Sequence, residues 1–485
     1  MNTYIGIDLG TSSVKLLLTD AHGTCLKQAV RSYPISYPQN GWSEQDPQDW
    51  LTATNEALDE LLLDVDRNEV KGISFGGQMH GLVLLDENDR VIRPAILWND
   101  GRTEQQSAYL NEVVGRDTLL AETANISFAG FTASKLLWVK ENEPECFGRI
   151  KKLLLPKDYL VYKMTGAHVT DYSDASGLLL LDVKNKCFSS RMCEICGVDA
   201  SVLPRLAESY EVVGRPLPSY CLPNAVVTAG AGDNAAAAVG VGATGDGACN
   251  ISLGTSGTLF VSTDRFTENA SGGVLHSFAH ANGAYHLMGC ILSAASANRW
   301  WVEDILGADY GEAVEGAEAL LGKNPVFFLP YLMGERCPYN DTAVRGAFFG
   351  LSADTSKAQM SLAVLEGVAF ALRDCLSLVR EAGIDVRRSM LCGGGAKSPL
   401  WRRILASVLD LSLTLPAVEE GPAYGACLLA MVGAGEYESV EEAVRTCVRT
   451  TEEIRPDPSL VAAYEARYRI YRRLYAAACA CKKAL

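Results

Sequence analysis

A short segment occurs twice in this chain, about half a chain length apart. Residues 5–20 read IGIDLGTSSVKLLLTD and residues 249–264 read CNISLGTSGTLFVSTD, and seven aligned positions are identical. In both copies, apolar residues flank a Gly-Thr-Ser turn, a pattern typical of two β-strands joined by a tight turn. A repeat at this spacing predicts two related domains that face each other across a cleft.

The segments between and after the two copies alternate in type. Residues 72–77 read as an apolar strand and residues 133–147 as a helix. After the second copy, residues 359–383 form a long amphipathic helical pattern, and residues 389–394 read as a strand. Strands followed by long helices predict layered α/β domains.

Composition narrows the possible functions. The chain has 485 residues, 48% of them hydrophobic and 21% charged, which is typical of a large globular protein and not of a disordered chain or a bundle of membrane spans. The net charge of -15 disfavours binding to nucleic acid or to anionic membranes. MNTYIGIDLG lacks the basic flank and long apolar run of a signal peptide. We therefore expect a cytoplasmic protein with a small-molecule partner.

The repeated turns suit phosphate groups. A Gly-Thr-Ser turn places backbone N–H groups and short hydroxyls around one concavity. A single turn of this kind is more often an ordinary hairpin turn. Two copies facing one cleft favour a polyphosphate ligand. The residues concerned are Gly10, Thr11, Ser12, Gly254, Thr255 and Ser256.

Other glycine-rich segments carry weaker signals. The cluster at 391–401, LCGGGAKSPLW, lies between a predicted strand and a helix from about Pro399, and it predicts either a nucleoside site or a plain strand-to-helix turn. No P-loop pattern occurs, since GAEALLGKN at 316–324 has the wrong spacing. GVGATG at 240–245 matches a dinucleotide fingerprint but follows an alanine-rich stretch, so a dinucleotide-dependent oxidoreductase is the weakest alternative.

Longer motifs identify the chain as similar to a known family. GFTASKLLWVKEN at 130–142 and GAFFGLSADTSKAQMSLAVLE at 346–366 resemble the two signatures of the FGGY carbohydrate kinases. GQMHG at 77–81, WSEQDPQDW at 42–50 and GDNAAAAVGVG at 232–242 resemble the xylulokinase branch of that family. The resemblance spans essentially the whole chain.

The resemblance implies an α/β fold with two actin/hexokinase-like (ribonuclease H-like) domains flanking an ATP cleft. Residues 1–245 would form the N-terminal domain, with the sugar-binding residues and the first phosphate loop. Residues 246–485 would form the C-terminal domain, with the second phosphate loop and the adenosine pocket.

Two aspartates receive catalytic roles from the resemblance. Asp233 would take the proton of the sugar hydroxyl, and Asp8 and Asp233 would lie at the Mg²⁺ site. One carboxylate in the first copy is enough for Mg²⁺, whereas a second carboxylate at Ser252 would add negative charge beside the triphosphate. Without the resemblance, Asp233 reads as a cap of the following helix.

The remaining site residues are also implied by the resemblance. The expected sugar-binding residues are Gln78, Met79, His80, Trp98, Asn99 and Asn234. The expected ATP-binding residues are Gly10, Thr11, Ser12, Lys15, Gly254, Thr255, Ser256, Gly393, Gly394, Gly395 and Ala396.

The implied activity is ATP-dependent phosphorylation of D-xylulose to D-xylulose 5-phosphate in pentose catabolism, with ATP and Mg²⁺ and with no nucleic-acid or membrane partner. A homodimer is one expected assembly. Two alternatives stay open: a kinase for another ketose or polyol, and a sugar-binding regulator without turnover. The intact pair of Asp8 and Asp233 argues against the regulator.

Overall fold

Two mixed β-sheets with helices packed against them make up the protein. The computed structural model of the chain describes residues 1–268, 271–418 and 420–482. The strands are β1 (Thr3–Leu9), β2 (Ser13–Asp20), β3 (Cys25–Ser32), β4 (Glu44–Gln45), β5 (Val70–Gly77), β6 (Val83–Leu85), β7 (Ala95–Ile96), β8 (Lys152–Leu154), β9 (Val169–Asp171), β10 (Leu181–Asp182), β11 (Cys187–Phe188), β12 (Arg205–Ala207), β13 (Val212–Gly214), β14 (Val226–Thr228), β15 (Ala231–Gly232), β16 (Cys249–Leu253), β17 (Gly257–Thr263), β18 (His276–Ala279), β19 (Tyr285–Ile291), β20 (Phe327–Leu329), β21 (Ala347–Phe349), β22 (Arg388–Cys392), β23 (Ser412–Pro416) and β24 (Thr450–Ile454). The α-helices are α1 (Pro47–Leu61), α2 (Glu104–Ala108), α3 (Arg116–Thr123), α4 (Thr132–Asn142), α5 (Pro144–Gly148), α6 (Pro156–Thr165), α7 (Tyr172–Ala175), α8 (Ser190–Cys196), α9 (Asp233–Val241), α10 (Ala295–Arg299), α11 (Tyr310–Ala313), α12 (Lys357–Glu381), α13 (Pro399–Leu409), α14 (Gly421–Gly433), α15 (Val440–Cys447) and α16 (Pro458–Lys482).

The two large sheets share a central topology. The first has the order β13-β14-β5-β1-β2-β3, with β15 also pairing with β5, and the second has the order β18-β19-β17-β16-β22-β23-β24. In each sheet an antiparallel hairpin, β1–β2 or β16–β17, continues into a third antiparallel strand. On the other side of each hairpin lie two parallel strands. The sequence repeat therefore extends to the topology of two related halves.

Most predicted elements are confirmed. The pattern at 359–383 corresponds to α12, the strand at 72–77 to β5, and the helix from Pro399 to α13. The helix predicted over 133–147 is instead two helices, α4 and α5, because Glu143 leaves the helical conformation directly before Pro144. The residue before a proline is sterically disfavoured in the α region, which explains the break.

Side-chain caps determine where the helices of the second half begin. The Ser356 hydroxyl accepts from the Gln359 N–H, and the Gln359 side chain accepts from the Ser356 N–H at 2.7 Å, so α12 starts with a capping box. Ser398 caps α13 in a similar way through the N–H of Trp401, and Pro399 occupies the first helical position. The Ser398 cap and Pro399 fix the start of α13 directly after the glycine cluster.

Helices α9 and α14 cross at backbone contact. A Cβ atom on Gly240 would lie 2.1 Å from the carbonyl oxygen of Gly421, and one on Gly425 would lie 1.8 Å from that of Ala236. No side chain fits at either position, so the crossing requires glycine. Helix α14 also packs on the first sheet, where a Cβ on Gly6 would lie 2.0 Å from the carbonyl oxygen of Ala423.

The boundary between the two domains, placed between residues 245 and 246, stays a prediction.

The glycine- and alanine-rich tract forms β15 and α9. GVGATG at 240–245 closes α9, which ends at Val241, and Gly242 follows in the left-handed conformation. A dinucleotide fingerprint instead opens a helix after a strand.

Across the described ranges, no helix combines the length and the apolar character needed to cross a membrane.

Candidate active site

The first turn joins β1 to β2. Asp8 and Lys15 lie directly opposite each other in the antiparallel pair, so their side chains share one face of the sheet. The Gly10 N–H donates to the Ser13 carbonyl at 3.0 Å and closes the turn. Thr11 is half-buried and Ser12 exposed, so the tip of the turn is open to a ligand.

The carbonyl groups of this turn are all engaged by the protein. The Tyr33 hydroxyl donates to the Gly10 carbonyl, and the Tyr33 N–H donates to that of Ser12 at 3.2 Å. Gln45 Nε2 donates to the Thr11 carbonyl at 2.8 Å. With its acceptors used, the turn presents N–H and hydroxyl donors, the groups that an anion requires.

The second turn joins β16 to β17 and is one residue shorter. Four residues separate Leu9 from its partner Val14, whereas three separate Leu253 from Gly257. As a result, Ser252 is paired with Thr258. The gapless sequence alignment matches Lys15 with Leu259. In the structure, however, the residue that occupies the position of Lys15 in the second hairpin is Thr258, the partner of Ser252.

Backbone groups at the start of α10 hold the second turn. The Ala295 N–H donates to the Gly254 carbonyl at 2.9 Å, and the Ala294 N–H donates to the Thr255 carbonyl at 3.0 Å. The Ser296 hydroxyl donates to the same Thr255 carbonyl at 2.6 Å. The second turn thus also has occupied carbonyls, although different elements supply the donors.

The structure brings Asp8 and Asp233 into one site. Asp8 pairs with Gly76 on one side of β5, and Ala231 pairs with Gly76 on the other, two residues before Asp233. Burial and the charge of Asp233 raise the pKa of Asp8 to about 7, while Lys15 opposes this shift. Burial raises the pKa of Asp233 to about 6, against the lowering effect of the Asn234 N–H.

Asp233 does not act as a conventional helix cap. Helix α9 begins at Asp233 itself, and its capping position is Gly232, whose side chain is a hydrogen atom. The Asp233 carboxylate accepts from the N–H of Asn234, at 2.7 Å, and from the Asn234 side chain at 3.1 Å. Asn234 Nδ2 lies 4.0 Å from Met79 Sδ, which links the aspartate to the GQMHG segment.

His80 is held rigidly at the end of that segment. Its φ of 69° is unusual for a side chain of this size, and its carbonyl accepts from Lys135 Nζ at 2.7 Å and from the Thr132 hydroxyl at 3.1 Å. The ring stacks on Phe131, with 4.5 Å between centroids. His80 Nδ1 lies 3.1 Å from the Gly177 carbonyl, which can only accept, so Nδ1 carries the proton and Nε2 is an acceptor.

Burial and the Lys135 charge lower the pKa of His80 to about 3, so its imidazole is neutral at physiological pH. A neutral ring in a fixed tautomer can accept a hydrogen bond from a sugar hydroxyl.

Three other predicted sugar-binding residues lie in different surroundings. Gln78 is 1% exposed and donates from Nε2 to Gln45 Oε1 at 3.1 Å, so it connects to the residue that anchors the first turn. The Trp98 indole N–H donates to the Thr11 hydroxyl at 2.9 Å, and its side chain is 45% exposed. Asn99 is exposed. Direct contact of these residues with a sugar stays a prediction.

A cavity of about 740 Å³ connects the second turn with the glycine cluster. It is lined by Thr255, Ala295, Ser296, Asn298, Arg299, Tyr310, Gly311, Val314, Gly394, Gly395, Lys397, Ser398, Pro399, Leu400 and Trp401. Ligand cavities of this size and lining suit a nucleoside.

The three glycines of the cluster have different surroundings. Gly393 has a φ of 89°, and its Cβ would lie 2.6 Å from the Leu253 carbonyl oxygen. A Cβ on Gly395 would lie 2.9 Å from Leu253 and from Trp401. A Cβ on Gly394 would meet no atom within 4 Å, so this glycine leaves room at the cavity wall. The next predicted ATP-binding residue, Ala396, is 7% exposed.

Family models cover both halves of the chain. The N-terminal domain of the FGGY family of carbohydrate kinases matches residues 3–240, and the C-terminal domain of the same family matches residues 249–434. The chain belongs to the FGGY family of carbohydrate kinases. The two-domain fold of that family is the one described above.

Relatives of this FGGY kinase include proteins named for more than one sugar. Xylulose kinase from Escherichia coli (strain K12) is 41% identical over 480 residues, 97% of this chain and 98% of the relative. A solved structure of a xyloylose kinase from Brucella ovis has a TM-score of 0.93 at 39% identity and covers 99% of this chain and 100% of its own. Gluconate kinase from Lactobacillus acidophilus has a TM-score of 0.93 at 25% identity, with 98% of each chain covered.

Two charged residues that act on predicted site residues of this FGGY kinase were not among the predicted ones. Glu420 forms an ion pair with Lys15, so the lysine expected to bind ATP already has a partner in the protein. The Arg336 guanidinium lies over the Phe128 ring, 4.9 Å from its centroid, and its charge contributes to the low pKa of His80. No sequence spacing rule relates Lys15 to Glu420, so a local pattern could not predict this ion pair. Arg336 lies in the segment GERCPYN at 334–340, and this segment is the sequence signal that could have identified it.

Proposed function

We propose that this FGGY kinase transfers the γ-phosphoryl group of ATP to the 5-hydroxyl of D-xylulose. The observation that carries the proposal is the position of Asp233. Its half-buried carboxylate touches Asn234 beside Met79, and its charge acts on Asp8 next to the first phosphate turn. A base between a sugar site and a phosphate site is the arrangement that phosphoryl transfer to an alcohol requires.

Asp233 acts as the general base. With a pKa of about 6 it is mostly ionised at neutral pH, yet it is more basic than an ordinary aspartate. It accepts the proton of the 5-hydroxyl as the oxygen attacks the γ-phosphorus. Asn234 donates to the carboxylate at 3.1 Å and restricts its rotation.

The sugar lies against the GQMHG segment. His80 Nε2 accepts from one sugar hydroxyl, and the Asn234 amide and the Met79 side chain line the same site. His80 keeps a fixed orientation because its ring is stacked on Phe131 and bonded to Gly177. A polar site built in this way discriminates against sugars that lack a matching hydroxyl.

The two turns bind the phosphates and the 740 Å³ cavity binds the nucleoside. The donors of Thr11 and Ser12 bind one end of the triphosphate, and those of Thr255 and Ser256 bind the other. Thr255 also lines the cavity, which supports a continuous path from the nucleoside to the transferred phosphoryl group.

The residues present suit Mg²⁺, with Asp8 and Asp233 as its protein ligands. In the described ranges no cluster of three or more His, Cys, Asp or Glu side chains is arranged to hold a metal. Mg²⁺ needs no such cluster, because it is usually held by one or two carboxylates together with waters and substrate phosphates. When bound, it neutralises charge that develops on the phosphates.

The choice of sugar rests on sequence similarity rather than on fold. The gluconate kinase shares the fold with a TM-score of 0.93 at 25% identity, so fold alone selects no sugar. Xylulose kinase from Escherichia coli reaches 41% identity over nearly the whole chain, and the GQMHG segment borders Asp233. A regulator without turnover is disfavoured, since it would not need both Asp8 and Asp233.

The test is a coupled ADP-release assay with D-xylulose, other pentuloses, hexuloses, glycerol and gluconate. We expect the highest kcat/KM with D-xylulose. A clearly higher value with L-ribulose, glycerol or gluconate would make the sugar assignment wrong while preserving the kinase assignment. Sugar binding without ADP release from any sugar would instead support the regulator.

Further properties belong to the same proposal. A cytoplasmic location is supported by the cysteines, which are free thiols in the described chain, because disulfides form in oxidising compartments. Division into an N-terminal domain, 1–245, and a C-terminal domain, 246–485, is supported by the two sheets with related topology. Assembly as a homodimer can be checked by sedimentation of the purified chain.

A further inference from the structure

A cluster of buried charges lies behind Asp233. Lys157 and three carboxylates, those of Asp158, Asp171 and Asp174, are all fully buried. Lys157 Nζ lies 2.6 Å from Asp158 Oδ1, 2.9 Å from Asp171 Oδ1 and 3.6 Å from Asp174 Oδ2. Desolvation of such groups offsets much of their mutual attraction, so stability alone is a weak reason to bury them.

A chain of hydrogen bonds leads from this cluster to the base. Asp171 is anchored by Lys157 through Oδ1, and its Oδ2 accepts from the Ser173 hydroxyl. The Ser173 oxygen in turn accepts from the N–H of Gly232 at 3.1 Å. Gly232 is the residue directly before Asp233, at the junction of β15 and α9.

We infer that the chain Lys157–Asp171–Ser173 is a positioning device for Asp233. It fixes the orientation of the Gly232 peptide group and thereby the direction in which the Asp233 carboxylate points. Phosphoryl transfer depends on positioning, and a displacement of about 1 Å can lower a rate by about 100-fold. None of the three residues needs to touch the sugar or ATP for this effect. The inference rests on the proposed kinase activity.

Ser209 provides a matched control for Ser173. Both serines are buried, and both hydroxyls donate to Asp171 Oδ2, that of Ser209 at 2.7 Å. Only the Ser173 side chain also accepts from Gly232. Replacement of either serine by alanine removes one buried donor to the same carboxylate oxygen, so a purely structural role predicts similar effects from the two changes.

The experiment compares S173A and S209A with wild type in single-turnover phosphorylation of D-xylulose, with enzyme in excess. We expect S173A to lower the rate of transfer by about 10- to 100-fold, while the KM values for ATP and sugar, measured in separate steady-state assays, change by less than about twofold. We expect S209A to retain the rate within about twofold. Both variants should show similar losses in thermal midpoint.

Rescue separates positioning from general damage. Ser173→Thr keeps a hydroxyl and should recover most of the rate. If S173A does not fold, Ser173→Cys tests the same link, because a thiol of similar size accepts hydrogen bonds weakly; it should fold and still be slow.

A wild-type rate in S173A or Ser173→Cys, or equal rate losses in S173A and S209A, would overturn the inference. The proposed function fails separately, when wild type itself phosphorylates no sugar of the panel.

Discussion

The two hairpins carry the same Gly-Thr-Ser turn, but they differ in the strand pair beside it. In the first hairpin Asp8 faces Lys15, and in the second Ser252 faces Thr258. The two hairpins differ at both charged positions, and the second turn is one residue shorter. Since side chains alternate along a strand, a shift of one residue exchanges the faces on which they lie. Leu259, which aligns with Lys15 in sequence, is fully buried.

We therefore propose different chemical roles for the two copies of the turn. The first hairpin presents a carboxylate next to its turn, where a metal and the transferred phosphoryl group can be organised. The second presents hydroxyl groups, which can donate hydrogen bonds to phosphate without adding negative charge. The comparison predicts that the halves are not interchangeable, and the following changes test it in order of expected effect.

The largest effect is expected at Asp233, the second carboxylate of the first half. Asp233→Asn keeps the shape of the side chain but removes the base, so kcat should fall by about 10²- to 10⁴-fold. Sugar affinity should change little, as measured by isothermal titration, and the thermal midpoint should not fall. Retention of more than about a tenth of the wild-type kcat would refute general-base catalysis by this residue.

Asp8→Asn removes the carboxylate charge of the first hairpin, which has no counterpart in the second. We expect a loss of about 100-fold in kcat at low Mg²⁺ and partial recovery as Mg²⁺ is raised, because weaker metal binding is compensated by mass action. A titration of kcat against Mg²⁺ for Asp8→Asn and Asp233→Asn gives the contrast. Asp233→Asn loses the general base as well as a proposed Mg²⁺ ligand, so raised Mg²⁺ should restore little of its kcat. Equal recovery of kcat in both variants would contradict the general-base role of Asp233.

The pH dependence should follow both carboxylates. Their pKa values in the free enzyme, about 7 for Asp8 and about 6 for Asp233, predict that kcat/KM falls by up to about tenfold per pH unit between 7 and 6. Below pH 6, where both carboxylates become protonated, the fall approaches about 100-fold per unit.

The effect on stability has the opposite sign. A raised carboxyl pKa favours the folded state at low pH, and this contribution is lost as the pH rises through the folded-state value. Asp8→Asn should therefore raise the thermal midpoint at pH 8, and the gain should shrink as the pH falls from about 7 towards 4. A gain that does not depend on pH would contradict the assignment.

The reverse change converts the second hairpin towards the first. Ser252→Asp places a carboxylate beside the second turn, and we expect the KM for ATP to rise about tenfold through repulsion of the triphosphate. Ser252→Asn is the control, since it adds similar volume without charge. Equal KM values for the two variants would show that size and not charge explains the serine.

The smallest effect is expected in the cavity that we propose for the nucleoside. Gly394→Val adds a branched side chain where a Cβ meets no protein atom, so it should raise the KM for ATP several-fold by occupying cavity space, with little effect on the sugar. Gly148→Val is a suitable control, because its Cβ also meets no atom and it lies outside the cavity lining. Equal loss of ATP and sugar binding would indicate a folding defect.

Local sequence patterns predicted much of the framework. Apolar residues on both sides of the Gly-Thr-Ser turn correctly predicted β1 and β2, and the long amphipathic pattern predicted α12 to within two residues at each end. The break between α4 and α5 was missed although Pro144 marks it. Strand register at the second turn could not be read from the repeat, because identical turn residues support loops of different length.

The candidate site was predictable where a motif is contiguous and not where partners are distant in sequence. Contiguous motifs predicted the turns, Asp8 and Asp233. The structure pairs Asp8 with Gly76 on one side of β5 and places Asp233 directly after Gly232, which pairs with Gly77 on the other side. The Lys15–Glu420 ion pair joins residues 405 positions apart, which no local pattern encodes. Gln78 was expected to bind the sugar. Its hydrogen bond to Gln45 depends on the direction of the chain after β5, which the sequence pattern does not specify.

The backbone contact between α9 and α14 has a consequence for how this protein can be cut or recombined. Helix α14 lies far beyond the midpoint of the chain, yet it covers one face of the first sheet, where Gly6 admits the Ala423 carbonyl. A gene fragment that encodes only residues 1–245 would produce a sheet with that apolar face exposed to water. A chimaera of two related proteins would need glycines at the matching positions in both halves. We therefore expect soluble chimaeras only from pairs of proteins that share the close contact between α9 and α14.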